Sequence, residues 1–564
     1  MLLDLGRSPV AAGLGAALFV MSSPLLENLH FSGDLLPLAH LPWLILALHR
    51  RSLAGASIVT ALLVMSGHPL FVVTVGIAAI GFVIAEAASS RSARPVFDVV
   101  AATVFGAGLA AFTFVPTIAS AGDLWFYKTQ THQGSVYALF DPMDRWLHAV
   151  ASMFVDLRTP ASAFGDPEFW LYVGVPAAVL AGAGLVRAGT YDRVLAALLF
   201  LFFVLTVPGI WMLQISTMKP LMYMNRSYFA GGMTFMIAVF ASAGYDLLSH
   251  HRFGRMVAIV CAIAAVAIYA ARAGEVLHPR IWHDVTGGDL IAKLRSDPAH
   301  RMIGTLGQTH LPNSSRITGI EDVRESTPVW TVRKHLWWQA VDPEIRANSF
   351  PTFRLTDRVE SPLVGDFNVG WVLRSRLRVS GFINLPGPQN HPAAVIEPWS
   401  GLVRPRVHFA DHVVFVRGMS DAARVLGVRP PQRVRGGLHI PQRSGAPENL
   451  EVVEWNGAPP VMPAVASAAA IVRYPSDSTA VIDASSATGG LVVLHDTWER
   501  GWRASIDGKP ADIVPVNLIS RGVMVGPGRH RIEMEYEPFR FREGLGISMT
   551  AVIGLLIACK PRRK

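Results

Sequence analysis

Apolar residues are distributed along this chain in two regimes. Residues 1–272 carry long uncharged runs, whereas roughly 273–541 mix polar and apolar positions as an ordinary soluble domain does. A helix that crosses a bilayer needs about 20 mostly apolar residues, somewhat fewer when it is short or embedded in a bundle. The runs that answer to this are Pro9–Leu26, Leu35–Leu48, Ala54–Ser66, Leu70–Ala87, Val96–Pro116, Phe169–Val186, Val194–Leu213, Tyr228–Leu247, Met256–Ala271 and Gly544–Cys559. They predict about ten transmembrane helices, the last of them after the polar region. The first run lacks the basic flank of a cleavable signal and reads as a helix of the bundle.

Within the polar region the period changes along the chain. Asp289–Ser296 reads as a helix, Leu311–Ile317 as a loop, and Leu363–Leu373 as a short helix or turn leading into a strand. Beyond Asn449 apolar and polar residues alternate. Ala469–Tyr474, Ala480–Asp483, Gly490–His495, Trp502–Ile506, Ile513–Val516, Gly522–Val525 and His530–Tyr536 all read as strands. Asp507-Gly508 between two of them predicts a tight hairpin, because glycine tolerates positive φ. Gly526-Pro527-Gly528 marks a second turn. Short strands with regular turns predict a small antiparallel β-sandwich. Proline-rich stretches at Leu385–Pro392, Arg429–Pro431 and Ala458–Pro463 mark the internal joints.

Composition agrees with the pattern: of 564 residues 51% are hydrophobic and only 16% charged, unlike an average soluble chain. The net charge of +9 adds orientation. Arg50 and Arg51, Arg91 and Arg94, Arg187 and Arg193, Arg252 and Arg255, and the tail Lys560, Arg562, Arg563 and Lys564 fall in alternate connections. Positive residues stay on the cytoplasmic side, so both termini are expected there. This placement accounts for the basic balance without a nucleic-acid partner. Five segments then lie outside: Leu26–Asp34, the connection around His68, the loop Thr117–Glu168, Met212–Arg226 and the region from about Ala273 to Phe541. The two cysteines, Cys261 and Cys559, fall inside predicted spans, so the outer region is expected to fold without a disulfide.

The expected fold is therefore a polytopic α-helical membrane bundle, residues 1–272, with an outer loop at 117–168. An extracytoplasmic mixed α/β region follows at 273–448, then the β-sandwich at 449–541, then a final transmembrane helix and basic cytoplasmic tail at 542–564. Trp498 and Trp502 flank a loop beside Arg500 and Arg503. Such aromatics stack on sugar faces, or else fill the core or dock the domain on the bundle.

The block LVVLHDTWERGWRASIDGKPADI at Leu491–Ile513, followed by VNLISRGVMVGPGRHRIEMEYEP and one last helix, resembles the signature of the bacterial YfhO-type membrane proteins. The shared features are Asp496, Gly501-Trp502, Asp507-Gly508, Gly528-Arg529-His530 and Tyr536. LPWLILALHR at Leu41–Arg50, SGHP at Ser66–Pro69, LYVGVPAAVLA at Leu171–Ala181 and NRSYF at Asn225–Phe229 follow in the same order, with weaker echoes at Leu311–Ile320 and Pro405–Phe409. That family resembles the polytopic glycosyltransferases of the GT-C architecture. The resemblance implies an enzyme of the bacterial cytoplasmic membrane. It would transfer a sugar from a polyprenyl-phosphate carrier to an extracytoplasmic envelope glycan, with a divalent metal ion as the one cofactor the analogy suggests. The opening MLLDLGRSPVAAG resembles a point well inside the family pattern, and the family's Trp-Asn-Pro stretch does not occur. The usual N-terminal helices and acidic first outer loop are thus expected to be missing from this sequence, and their catalytic carboxylate is not carried over.

Sugar transfer from a phosphate carrier needs a carboxylate to take the acceptor proton, positive charge for the leaving phosphate, and a groove for the lipid. On the outer loops, Glu27 and Asp34 are the candidate catalytic carboxylates, with His30 between them. His68, in a break between two apolar runs, either binds phosphate or caps a helix. Arg226 at an outer helix mouth either makes a bidentate phosphate contact or snorkels to the interface. Lys128 and the pair Asp166 and Glu168 are weaker candidates; the aromatics beside Lys128 fit an interfacial belt. No P-loop, zinc-ligand spacing, HExxH or GxSxG motif is present. The rival expectations are a non-catalytic membrane scaffold or glycan-binding protein and, disfavoured by the scarcity of mid-span charge, a transporter.

Overall fold

The computed structural model describes residues 1–27, 32–66, 69–125, 150–155, 171–186, 189–206, 227–277, 292, 294–297, 301–304, 320–323, 330–341, 361–375, 394–428, 432–434, 437–439 and 450–560. Each of the ten predicted apolar runs overlaps a helix among the described residues. They are α1 (Pro9–Val20) with the short α2 (Ser23–Glu27), α3 (Ser32–His49), α4 (Leu53–Met65), α5 (Pro69–Ser90), α6 (Arg94–Leu109) with α7 (Ala111–Ala119), α8 (Val175–Leu185), α9 (Thr190–Thr206), α10 (Ser227–Ser249), α11 (Arg252–Leu277) and, at the C-terminal end, α15 (Phe541–Ala558). Among the described residues four helices are long and apolar enough to cross a membrane. The pair α6 and α7, bent by 73°, makes a fifth. Several others are apolar but shorter, so the chain is a multi-pass membrane protein whose bundle includes helices below spanning length.

Backbone contact through small residues holds the bundle. α8 and α10 cross so closely that a Cβ on Gly244 would lie 1.9 Å from the Leu180 carbonyl, and one on Gly184 2.1 Å from that of Phe240. Such packing substitutes for a hydrophobic drive, which is weak between helices already surrounded by lipid. Some hydroxyls inside the bundle donate within their own helices, as with Thr206 to Phe202 O at 2.6 Å and Ser242 to Val239 O at 2.7 Å. α15 closes the bundle at the α6–α7 bend. There Ser548 Oγ accepts from Phe112 N at 3.1 Å and donates to Gly108 O at 3.1 Å. One side chain, more than four hundred residues away in sequence, thus repairs the backbone bonding that the bend interrupts.

Polar pairs gather at the ends of the helices. Arg50 meets Asp4 at 2.6 Å, Ser8 N donates to Asp246 at 3.1 Å, and His49 pairs with Glu86 at 2.5 Å. Segments that charge alternation assigned to one side are therefore neighbours in space.

The polar region contains two facing sheets. The five-stranded sheet runs β11 (Ala469–Ser476), β12 (Thr479–Ser486), β18 (Gly528–Tyr536), β14 (Trp502–Ile506), β15 (Lys509–Ala511), all antiparallel. The six-stranded sheet runs β6 (Val407–Phe409), β13 (Gly490–Leu494), β17 (Ser520–Val525), β16 (Val514–Val516), β10 (Glu451–Glu454), β7 (Val413–Val416). In it β7 and β10 are parallel, so the sandwich is mixed at that edge. Its two edge strands, β6 and β7, are only three residues apart in the chain, so the sheet curls back on itself. One face of β13 packs on the partner sheet through Val492 and Leu494, with Ile482, Val523, Ile532 and Met534. The other face, Leu491 and Val493, packs inside the curl with Val453 and Val516. Every residue of β13 is buried.

The predicted hairpin forms at Asp507 and Gly508, both at positive φ (50° and 78°), the geometry a two-residue turn with the right twist requires. Asp507 also accepts from Arg531 N at 2.8 Å and pairs with His530 at 2.7 Å. Strand pairing crosses residue 449, because β6 and β7 belong to the same sheet as strands beyond it. Beside the sandwich a smaller layer is built from β2 (Arg301–Gly304), β4 (Val369–Ser375) and β5 (Ala394–Pro398), with α12 (Val332–Val341), α13 (Pro362–Asp366) and α14 (Met419–Val425). α13 followed by β4 is the helix-to-strand passage predicted at Leu363–Leu373. Trp337, Trp338, Phe367 and Trp399 form its apolar centre together with Leu518 and Ile519 of the sandwich.

Candidate functional site

Two of the sequence-derived candidates, Glu27 and Asp34, fall among the described residues. The backbone puts Glu27 at the end of α2 and Asp34 in the first turn of α3. His30, His68, Lys128, Arg226, Asp166 and Glu168 lie outside the described residues.

The described chemistry is concentrated elsewhere, where the sandwich meets the smaller layer. Asp496, which follows β13, is 7% exposed and is contacted by three guanidinium groups. Arg301 from β2 bonds its Oδ1, Arg406 reaches the same oxygen at 3.1 Å, and Arg521 from β17 reaches Oδ2 at 3.1 Å. Tyr474 Oη donates to Oδ2 at 2.6 Å. Burial alone would raise this carboxyl; the three cations outweigh it and hold Asp496 far below the usual carboxylate range. The surplus positive charge is met by Glu321, at 2.9 Å from Arg301 and 2.8 Å from Arg406. Aromatic faces take up more: Arg521 lies 3.7 Å over Trp502 and Arg406 4.2 Å over Tyr474. Every oxygen of Asp496 is occupied by hydrogen bonds that fix the fold. It is a joint between sheets rather than a free base.

A second cluster adjoins it. Glu451, 1% exposed, opens β10. It receives Arg404 on Oε1 and Asn517 Nδ2 on Oε2 at 2.6 Å, and lies 3.2 Å from His408 Nε2. Arg404 also holds Asp366 at 3.0 Å. Burial and the nearby Glu451 charge still push the Asp366 carboxyl up to about 7, against the pull of Arg404. His408 stacks on His495, ring centroids 5.0 Å apart. Full burial and the surrounding cations hold His495 well below the ordinary histidine range, so its ring is neutral.

The tryptophan–arginine loop does structural work. Trp498 lies under Arg333 at 4.5 Å, Trp502 packs on the sandwich core, and Arg500 reaches Asp123, just beyond α7, at 2.9 Å. A Cβ on Gly501 would lie 2.4 Å from Glu537 O, which explains the glycine before Trp502. Two short strands, β1 (Leu124–Trp125) and β3 (Trp330–Thr331), add a second tie between bundle and polar region. Turn chemistry singled out Asp507-Gly508, and the family resemblance Asp496 and His530. Neither foresaw Arg301, Asp366, Arg404, Arg406, His408, Glu451 or Asn517, whose partners are scattered over more than a hundred residues; the one trace was the weak block at Pro405–Phe409.

No family model matches the chain, and no curated protein matches it. Among solved structures it is similar to the single-particle cryo-EM structures of arabinofuranosyltransferase AftD from Mycobacteria. With one mutant form the TM-score is 0.42 at 12% identity, over 94% of this chain and 51% of that chain. With another AftD structure it is 0.40 at 13% identity, over 93% and 48%. The chain thus spans about half the length of the structures it matches, and at these scores the likeness is a loose one of overall arrangement.

Proposed function

We propose that this chain is a GT-C-like membrane glycosyltransferase of the bacterial cytoplasmic membrane, transferring a sugar from a polyprenyl-phosphate carrier to an extracytoplasmic envelope glycan. The observation that carries the reading is the joint made by the block of family resemblance: Asp496 to Trp502 folds the outer region and, through Arg500 and Asp123, fastens it to the end of α7. A lipid-borne donor and a water-borne acceptor have to meet at such a boundary. In this reading Glu27 or Asp34 takes the acceptor proton, and His30, His68, Lys128 and Arg226 hold the donor and its departing phosphate.

The test is reconstitution of the 564-residue chain in proteoliposomes with labelled polyprenyl-phosphate sugars. Transfer is expected, with Asp34→Asn or Glu27→Gln abolishing it and His68→Ala or Arg226→Ala reducing it. Arg500→Asp should lower transfer without unfolding the outer region, and adding Asp123→Arg should restore it. Glycan binding without transfer from any such donor would replace the enzyme by a membrane scaffold, a reading favoured by the complete structural engagement of Asp496.

A further inference from the structure

We propose that His408, Glu451 and His495 form a zinc site that staples the curled sheet of the outer region. Their ligand atoms, one ring nitrogen from each histidine and one Glu451 oxygen, all lie within 4.8 Å of one another. His408 Nε2 and Glu451 Oε1 are already 3.2 Å apart, close to the roughly 3.3 Å edge of a tetrahedron with Zn–N and Zn–O bonds of about 2.0 Å. His408 lies on β6 and His495 just past β13, two strands that pair directly, while Glu451 lies on β10, three places from β13 in the sheet order, so one ion would tie β10 to them across the curl.

The histidines are arranged as ligands rather than as core filling. His495 is 0% exposed; its Nδ1 lies 3.1 Å from Ser520 Oγ, and its buried Nε2 has no hydrogen-bond partner. An orphaned ring nitrogen in a dry interior is costly. A neutral imidazole with one nitrogen held by a hydroxyl and a lone pair on the other is the form that binds a metal, the outer partner fixing tautomer and ring direction. His408 Nδ1 is buried without a partner, and its Nε2 is the nitrogen turned toward Glu451. Two nitrogens and one carboxylate suit zinc; calcium and magnesium prefer oxygen-only shells.

Arg404 is the competitor. Its Nη1 bonds Glu451 Oε1 and lies 3.1 Å from His408 Nε2, so the ion must displace it. Asp366, on its Nε at 3.0 Å, gives the guanidinium a carboxylate to retain.

The experiment uses the full chain in detergent, stripped of metal and titrated with Zn²⁺ and with Co²⁺. Expected are one zinc per chain by elemental analysis, a tetrahedral Co²⁺ visible spectrum, and a higher unfolding temperature of the outer region with Zn²⁺ but not with Ca²⁺ or Mg²⁺. His495→Ala and Glu451→Gln should abolish all three, and Arg404→Gln should tighten zinc binding at least about tenfold. His250→Ala with His251→Ala removes an unrelated adjacent pair and should change nothing. Less than a tenth of an equivalent in the wild-type chain, without a cobalt spectrum, would overturn the site whether or not any variant folds. So would an equivalent that disappears with the His250 and His251 pair. Sugar transfer is not a readout, so failure here and failure of the transferase reading are separable.

Discussion

The bundle and the polar region solve the same problem, buried polar groups, in opposite ways. In the bundle, hydroxyls such as those of Thr206 and Ser242 fold back on their own helices, ion pairs gather at helix ends, and helices approach through Gly184 and Gly244. In the polar region, Asp496, Glu451 and the buried guanidiniums of Arg301 and Arg521 sit in the interior, each neutralised by partners from separate segments. The solvent explains the contrast. A helix entering hydrocarbon must satisfy its polar groups before it meets any neighbour, whereas an aqueous domain can delay satisfaction until distant segments converge. The described polar region holds no cysteine, so its ion network and two-sided core fix it without a disulfide.

The largest expected effect tests this contrast directly. Asp496→Ala leaves Arg301, Arg406 and Arg521 buried without their shared counter-charge, at a cost of about 3–5 kcal/mol. Denaturant unfolding followed by hydrogen exchange should show β13 and β17 losing protection while the bundle keeps its own. A cost below about 1 kcal/mol, the level of an exposed pair, would break the comparison. In the bundle, Gly244→Ala forces a methyl group against the Leu180 carbonyl and should cost about 1–3 kcal/mol, read as loss of α8–α10 association in detergent with the outer region unchanged. Ser548→Ala should cost only about 0.6 kcal/mol, and hydrogen exchange at Phe112 should report it locally.

The smallest effect is a pH dependence of the hairpin. Asp507 raises His530, so that contribution is present below the ordinary histidine value of 6.5 and is lost as pH rises through the raised one. The backbone and His530 bonds lower Asp507, so its contribution is present above the ordinary carboxylate value of 3.8 and is lost as pH falls through the lowered one. Exchange protection of the turn should therefore be greatest between those limits, and Asp507→Asn should flatten the profile.

Much of the fold was legible because its signals are local. The apolar runs became helices, and strands from Ala469 to Tyr536 emerged within a few residues of their predicted bounds. Two positive-φ residues made the hairpin. The candidate site was less legible. Glu27 and Asp34 were chosen by expected topology and required chemistry, without a motif to fix their partners. The Asp496 and Glu451 clusters draw on residues from 301 to 521, and no periodicity records a meeting over such distances.

By itself the sequence determined where the chain enters an apolar phase, which connections share a side, and where strands turn, since hydropathy, charge and backbone freedom act over a few residues. Tertiary structure alone decided that β6 and β7 join strands beyond 449. It also decided that Ser548 mends the bend near Ala110, that Arg500 ties the outer region to Asp123, and that two histidines and a glutamate converge. Those are long-range contacts, and their partners are selected only when the curled sheet and the bent helix bring them into reach.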